Sequence, residues 1–245
     1  MELNVNLKEN SYKVILGNNI LKDLSSYYSL DKKVLVLTDD MVPSSYSDEV
    51  LKQTKEGYKY IIRHGEESKN INYYILINKF LLEHEFTRND LIIAVGGGVV
   101  GDLGAFVAST YKRGIDFINV PTSTLSMIDS SVGGKTGIDF NGVKNVIGTF
   151  YEPKLVLIDF DTLKTLDERN YNNGLVEALK MGLLFSEELI NLFNNPKGKR
   201  KGTAMLTAME SGDASVGSPL PMIYILPFRV PSVISPSYAI CVSKR

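Results

Sequence analysis

Apolar and polar positions alternate at the start of the chain: Leu3, Val5 and Leu7, then, after Asn10, Tyr12, Val14 and Leu16. Period two on both sides of a turn predicts an edge hairpin. The pattern then changes. Lys33–Thr38 (KVLVLT) is largely apolar and ends at Asp39 and Asp40, which predicts a buried parallel strand with its carboxyl end at a site. Tyr58–Arg63 reads as another strand. From Asn70 to Phe86, the positions of Ile71, Tyr74, Ile75, Ile77, Leu81 and Leu82 predict a helix with a broad apolar face. Leu91–Val95 is a third buried strand and runs into Gly96-Gly97-Gly98-Val99-Val100-Gly101-Asp102. A helix of small residues is expected over Leu103–Thr110, then a strand over Asp116–Val120 that stops at Pro121. The segment from Asp167 through Glu177 and Lys180 reads as the opening of a helical region. Strands alternating with helices predict an α/β fold with a mostly parallel sheet.

Neither period continues into the last 50 residues. Six of the nine prolines lie at or after Pro196, and all eighteen asparagines lie before it. Pro219, Pro221, Pro227, Pro231 and Pro236 each break a helix or a central strand. The expected organisation is an α/β domain over 1–160, the start of a helical domain over 161–195, and an irregular tail over 196–245. The break in composition points to a frameshifted or mis-joined reading frame for that tail.

Composition narrows the chemistry only a little. With 44% hydrophobic and 22% charged residues, the 245-residue chain has an ordinary globular balance. A net charge of −1 gives no global attraction to nucleic acid or anionic membranes, so an anionic ligand needs a local site. The single cysteine, Cys241, excludes an intrachain disulfide framework and a site of several thiolates. No apolar stretch approaches the roughly 20 residues of a membrane span, and a cytoplasmic protein is expected.

Gly96, Gly98 and Gly101 fit G-x-G-x-x-G between a strand and a helix, where backbone N–H groups can meet a pyrophosphate. The ordinary dinucleotide fingerprint sits on the first strand, and an acidic residue follows about 20 positions later; here position 121 is proline. Gly133-Gly134-Lys135-Thr136 suggests a triphosphate loop, but Asp129 stands where that motif requires glycine. What remains is a compact polar turn, Asp129-Ser130-Ser131-Val132-Gly133-Gly134-Lys135, followed by Lys144-Asn145. Two lysines, a carboxylate and an amide suit a polyhydroxylated anionic substrate. A solvated loop with ordinary charges is the plainer alternative. Glu177 and Lys180, three apart, read as a surface ion pair. His64 and His84 have no partners at metal-ligand spacing and read as solvent-facing. The basic run Lys197–Lys201 reads as a solvated linker.

Taken in order, these segments resemble 3-dehydroquinate synthase. His64-Gly65-Glu66-Glu67-Ser68-Lys69, the glycine cluster, Tyr111-Lys112-Arg113-Gly114 and Pro121-Thr122-Ser123-Thr124-Leu125 carry the likeness. So do Asp129–Thr136, Lys144-Asn145 and Gly174–Gly182, with order and spacing kept over about 195 residues. The resemblance implies a Rossmann-like NAD-binding domain followed by an all-α substrate and metal domain. It implies that Asp39, Glu66, Lys69, Gly97, Gly98, Val99, Val100, Gly101, Asp102, Thr122 and Ser123 surround the cofactor. Lys135 and Lys144 are included in that set, and Thr162, Leu163, Lys164 and Thr165 close over the nucleotide. Asp129, Lys135, Lys144 and Asn145 hold the substrate, Arg113 reaches the substrate phosphate in the neighbouring subunit of a homodimer, and Glu177 is the first zinc (or cobalt) ligand.

The implied reaction converts 3-deoxy-D-arabino-heptulosonate 7-phosphate to 3-dehydroquinate and phosphate, in aromatic amino acid biosynthesis. The family completes its metal site with two later histidines, whereas no histidine follows His84 here. One carboxylate does not make a three-ligand zinc site, so this chain is expected to bind NAD without turning over. The alternatives are a non-catalytic NAD-binding fragment, and a related metal-dependent alcohol dehydrogenase or sugar-phosphate cyclase. The Asp129–Lys135 turn and Lys144-Asn145 favour dehydroquinate synthase over the dehydrogenases.

Overall fold

A computed structural model describes residues 1–7 and 10–194. The expectations for the 196–245 tail therefore lie outside the described residues. The chain runs through β1 (Glu2–Val5), β2 (Tyr12–Gly17), α1 (Leu24–Tyr27), β3 (Lys33–Asp39), α2 (Ser44–Leu51), β4 (Glu56–Ile62) and α3 (Ile71–Glu83). It continues through β5 (Leu91–Gly96), α4 (Gly98–Thr110), β6 (Asp116–Pro121), β7 (Ile138–Phe140), β8 (Val143–Ile147), β9 (Leu155–Asp159), α5 (Glu168–Phe185) and α6 (Glu187–Asn194).

Seven strands form one sheet in the order β1-β2-β9-β6-β5-β3-β4, and β7 and β8 form a separate hairpin. Only β1 is antiparallel in the large sheet; the other five pairings are parallel. The continuous apolar runs become the inner strands, because a parallel strand covered on both faces needs apolar residues at every position. Every residue of β5 is buried. Ile92 and Ala94 join the core beneath α3 and α4, while Leu91, Ile93 and Val95 join the core under α1 and α2. A third core joins β2 and β9 to Ala178 and Met181 of α5.

Several elements differ from the sequence reading. The helix expected at Leu103 begins at Gly98, inside the glycine cluster, because Gly97 takes an extended capping conformation. Close packing of that helix requires Gly104, where a Cβ stands 3.2 Å from both Ala94 and Leu37. The helix expected to reach Phe86 ends at Glu83, with Glu85 left-handed behind it. Its start is set by Asn70, whose side chain accepts the N–H groups of Asn72 and Tyr73. The expected hairpin forms, but only β1 is an edge, since β2 pairs with β9. The elements α1, α2, β7, β8 and β9 were not anticipated.

Candidate functional site

The glycine cluster joins β5 to α4 at the carboxyl end of the sheet. Gly97 caps α4 without a side-chain hydrogen bond, and no acidic residue lies in the first turn. Gly101 N–H is the first donor to close back on the helix, to Gly97 O at 3.0 Å. The N–H groups of Gly98, Val99 and Val100 therefore stand at the positive end of the helix, an arrangement suited to a phosphate. Ser123 and Ser130 line the approach: a Cβ at Gly97 meets Ser123 Oγ at 3.5 Å, and one at Gly98 meets Ser130 Oγ at 3.2 Å. Thr122 is held by its N–H, which donates to Gly96 O at 2.9 Å.

Beside this turn the chain builds a charged network from three separate segments, the short turn before α3, helix α4 and strand β8. The side chain of Lys69 is only 5% exposed, and its Nζ donates to Asp102 Oδ2 at 3.1 Å and to Asn145 Oδ1 at 2.7 Å. The same ammonium lies 3.2 Å from Glu66 Oε1, and Lys144 Nζ lies 3.4 Å from that oxygen. Burial pulls the Lys69 ammonium down, but Asp102 and Glu66 together outweigh it and hold its pKa above the ordinary lysine value. Burial pushes the Asp102 carboxyl up to about 6; Lys69 opposes that, while Glu66 and Asp129 add to it. Both partners rise, Asp102 chiefly through burial and Lys69 through the two carboxylates beside it.

The β7–β8 hairpin delivers Lys144 and Asn145. Asn141 and Gly142 at its tip both have positive φ, as a two-residue hairpin turn requires. Asp139 N–H donates to Lys69 O at 2.7 Å, and Asn145 N–H donates to Asp139 Oδ1 at 2.8 Å. The hairpin is thus anchored on Lys69 through backbone and side chain together. A cavity of about 540 Å³ lies alongside, lined in part by Asp102, Asp129, Lys135, Asn145, Thr149 and Phe150.

The structure therefore brings together Glu66, Lys69, Gly97–Asp102, Thr122, Ser123, Asp129, Lys135, Lys144 and Asn145. Asp39 ends β3 next to β5, and its Oδ1 accepts the N–H groups of Met41 and Val42 at 2.9 and 3.0 Å. The Thr162–Thr165 segment lies in a short 3₁₀ helix and rests on α2, where Tyr46 Oη is 2.9 Å from Thr165 Oγ1. Thr162 and Leu163 are buried, whereas Lys164 and Thr165 are exposed.

One of the expected site residues stands apart. Arg113 is at the opposite end of α4, a 13-residue helix about 20 Å long. There Lys112, Arg113 and Gly114 all take positive φ, a strained turn for the first two. Glu177 is engaged by Lys180, as its spacing predicted. The histidines are less simply exposed than expected. His64 Nδ1 lies 2.8 Å from Asp40 Oδ1, and His84 packs against Phe80 with its ring tilted and meets Tyr58 edge-on.

The described residues fit a dinucleotide better than a metal. The uncapped α4 N-terminus and the glycines facing Ser123 and Ser130 leave room for a pyrophosphate. Among the described residues, no group of three His, Cys, Asp or Glu is arranged to hold a metal ion. Nor is any helix among them long and apolar enough to cross a membrane. Sequence reasoning missed Tyr12 and Glu152, which lie behind the Gly133-Gly134 turn; nothing local to either residue signals that role.

The family model for the 3-dehydroquinate synthase N-terminal region matches residues 59–173. The 3-dehydroquinate synthase of Clostridium botulinum (strain Alaska E43 / Type E3) is 44% identical over 205 residues, covering 81% of this chain and 59% of its own. That of Alkaliphilus metalliredigens (strain QYMF) is 43% identical over 196 residues, covering 79% and 55%. The chain thus spans a little over half the length of these curated relatives. Among solved structures, a 2-epi-5-epi-valiolone synthase from Streptomyces hygroscopicus subsp. jinggangensis 5008 has NAD+ and Zn2+ bound. It matches with a TM-score of 0.71 at 29% identity, over 83% of this chain and 62% of its own. A 2-deoxy-scyllo-inosose synthase matches with a TM-score of 0.71 at 20% identity, over 88% and 72%, a likeness of fold.

Proposed function

Residues 59–173 of this chain belong to the 3-dehydroquinate synthase family, and from that premise we propose that the chain forms the cofactor and substrate pocket of such an enzyme. The reaction is conversion of 3-deoxy-D-arabino-heptulosonate 7-phosphate to 3-dehydroquinate and phosphate. The observation that carries the reading is the Lys69 network, which places Glu66, Asp102 and Asn145 around one buried ammonium at the edge of the cavity.

The backbone N–H groups at the start of α4 hold the pyrophosphate of NAD, and Asp39 takes the adenosine ribose. When bound, NAD supplies a hydride acceptor that later returns the hydride. Lys69 keeps Glu66 and Asp102 from repelling one another and from repelling an anionic ligand. Lys135 and Lys144 neutralise the phosphate and carboxylate of the substrate, and Asp129 and Asn145 fix its hydroxyls. Asp102, with a carboxyl pushed up to about 6, can hold a proton on Oδ1 while Oδ2 stays on Lys69. Confinement of one substrate among these groups supplies orientation. Thr162–Thr165 covers the nucleotide, and Arg113 serves the neighbouring subunit of a homodimer. Residues 1–160 act as the NAD domain, and 161–195 open the helical domain.

No step is assigned to a metal, because Glu177 is engaged by Lys180 and the described residues assemble no cation site. That engagement favours a second reading, in which the polypeptide by itself binds NAD without turnover. Calorimetric titration of the purified chain with NAD, combined with metal analysis, tests both. Saturable NAD binding without stoichiometric zinc is expected. A folded chain that does not bind NAD overturns the first reading, and zinc-dependent turnover overturns the second.

A further inference from the structure

The Asp129–Thr136 turn is gripped by Tyr12 and Glu152, neither of which lines the cavity. Gly133, at φ +95°, donates its N–H to Tyr12 Oη at 3.3 Å. Tyr12 lies on β2, only 4% exposed, and the Glu152 carboxylate is near enough to its hydroxyl to help hold the phenol's proton in place. The Glu152 carboxyl fills the space that a side chain at Gly134 needs: a Cβ there stands 2.5 Å from Oε1. Gly134 is left-handed at φ +65°, and its carbonyl accepts the N–H of Tyr151 at 2.7 Å. Lys135 then pairs with Phe150 through an isolated backbone bridge. Three successive residues are thus fixed by β2 and by the Phe150–Glu152 segment. Glu152 Oε2 is buried without a partner, and burial holds the carboxyl above the usual carboxylate range.

We propose that Tyr12 and Glu152 are positioning residues, which set where the turn presents Lys135 to the cavity and so tune affinity for an anionic sugar phosphate without touching it. The inference rests on reading that cavity as the sugar-phosphate site. A tyrosine hydroxyl suits the task because it accepts from the Gly133 N–H and keeps a proton to offer the Glu152 carboxylate beside it. Glutamine at 152 keeps an acceptor for Tyr12 and fills the same volume against Gly134; alanine does neither.

The test uses the whole chain with NAD present, titrated calorimetrically with 3-deoxy-D-arabino-heptulosonate 7-phosphate. The variants are Tyr12→Phe, Glu152→Ala, Glu152→Gln and, as a check on the site, Lys135→Met. Tyr12→Phe and Glu152→Ala are expected to weaken sugar-phosphate binding about tenfold, the worth of one hydrogen bond, with NAD affinity unchanged. Glu152→Gln is expected to bind like the parent. Amide hydrogen exchange over residues 131–136 should accelerate in Tyr12→Phe while the rest of the sheet keeps its protection.

If the parent does not bind the sugar phosphate, or Lys135→Met binds it equally well, the site reading fails and the proposal with it. If Lys135→Met loses binding but Tyr12→Phe and Glu152→Ala do not, the site stands and the positioning role is overturned. Equal loss of NAD and sugar-phosphate binding, with exchange accelerated throughout, marks the pair as general scaffold and also overturns it.

Discussion

Lys69, from the turn before α3, and Asp102, from α4, meet at 3.1 Å, with the ammonium nearly shut off from solvent. Neither side chain reaches bulk water freely, so neither can replace its partner with solvent. Lys69→Met is therefore expected to destabilise the fold by about 3 kcal/mol in urea denaturation at neutral pH. Adding Asp102→Asn should restore part of that loss, because the uncompensated carboxylate is gone. Restoration of nothing would mean that the two residues are not coupled.

Asp102 also makes stability depend on pH. Its folded pKa is raised from 3.8 to about 6, so the folded state holds this proton more readily than the unfolded chain does. The stabilising share is complete below about pH 4 and is lost as pH rises through about 6, amounting to about 3 kcal/mol at most. Glu152 is raised as well and acts with the same sign. Asp40 and Asp167 are lowered and act with the opposite sign, below the ordinary aspartate value. Asp102→Asn should flatten the fall between pH 4 and 6, leaving the part due to Glu152. Stability profiles of parent and variant that run parallel would contradict this.

Gly174 sets how closely α5 sits on the loop after β6. A Cβ there meets Leu125 N at 2.5 Å and collides with the Thr124 side chain, and a backbone atom cannot move aside as a side-chain tip can. Gly174→Ala is expected to cost about 2 kcal/mol and to loosen α5, visible as faster hydrogen exchange there than in β5. Unchanged thermal stability would show that the helix can shift without penalty.

Asp159 ends β9 and accepts three backbone N–H groups, from Asn19, Leu21 and Asp161, at 2.9, 2.9 and 3.0 Å. It is 3% exposed, so no water can substitute. Asp159→Ala is expected to lose about 3 kcal/mol, read by chemical denaturation, and Asp159→Asn less, since one acceptor oxygen remains.

The parts of this fold that could be read from sequence are those in which one segment carries its own signal. Lys33–Thr38 and Leu91–Val95 are apolar at nearly every position, and only a strand covered on both faces tolerates that. Leu155–Asp159 carries the same signal and was legible in principle. The hairpin β7–β8 was legible too, from Asn141-Gly142 between two strands. Helix α2 was not: Ser44, Ser45 and Ser47 leave no apolar stripe, and only Ser47 and Val50 are buried in it. The start of α4 was hidden because glycines permit a helix without favouring one. Within the site, motif order located Lys69, Asp102 and Asn145, but their convergence on one ammonium depends on how a turn, a helix and a hairpin strand pack together. Tyr12 and Glu152 are far apart in sequence and meet only in space.

The order of strands in the sheet has a consequence for synthesis on the ribosome. The hairpin β1–β2 emerges first, yet the neighbour of β2 is β9, and Asn19 waits for Asp159, 140 residues later. At roughly 5–20 residues per second that interval lasts about seven to thirty seconds. Throughout it, the inner edge of β2 is a nascent strand with unpaired backbone groups. The seven-stranded sheet thus cannot close as it is made, and its first strands depend on its last for completion.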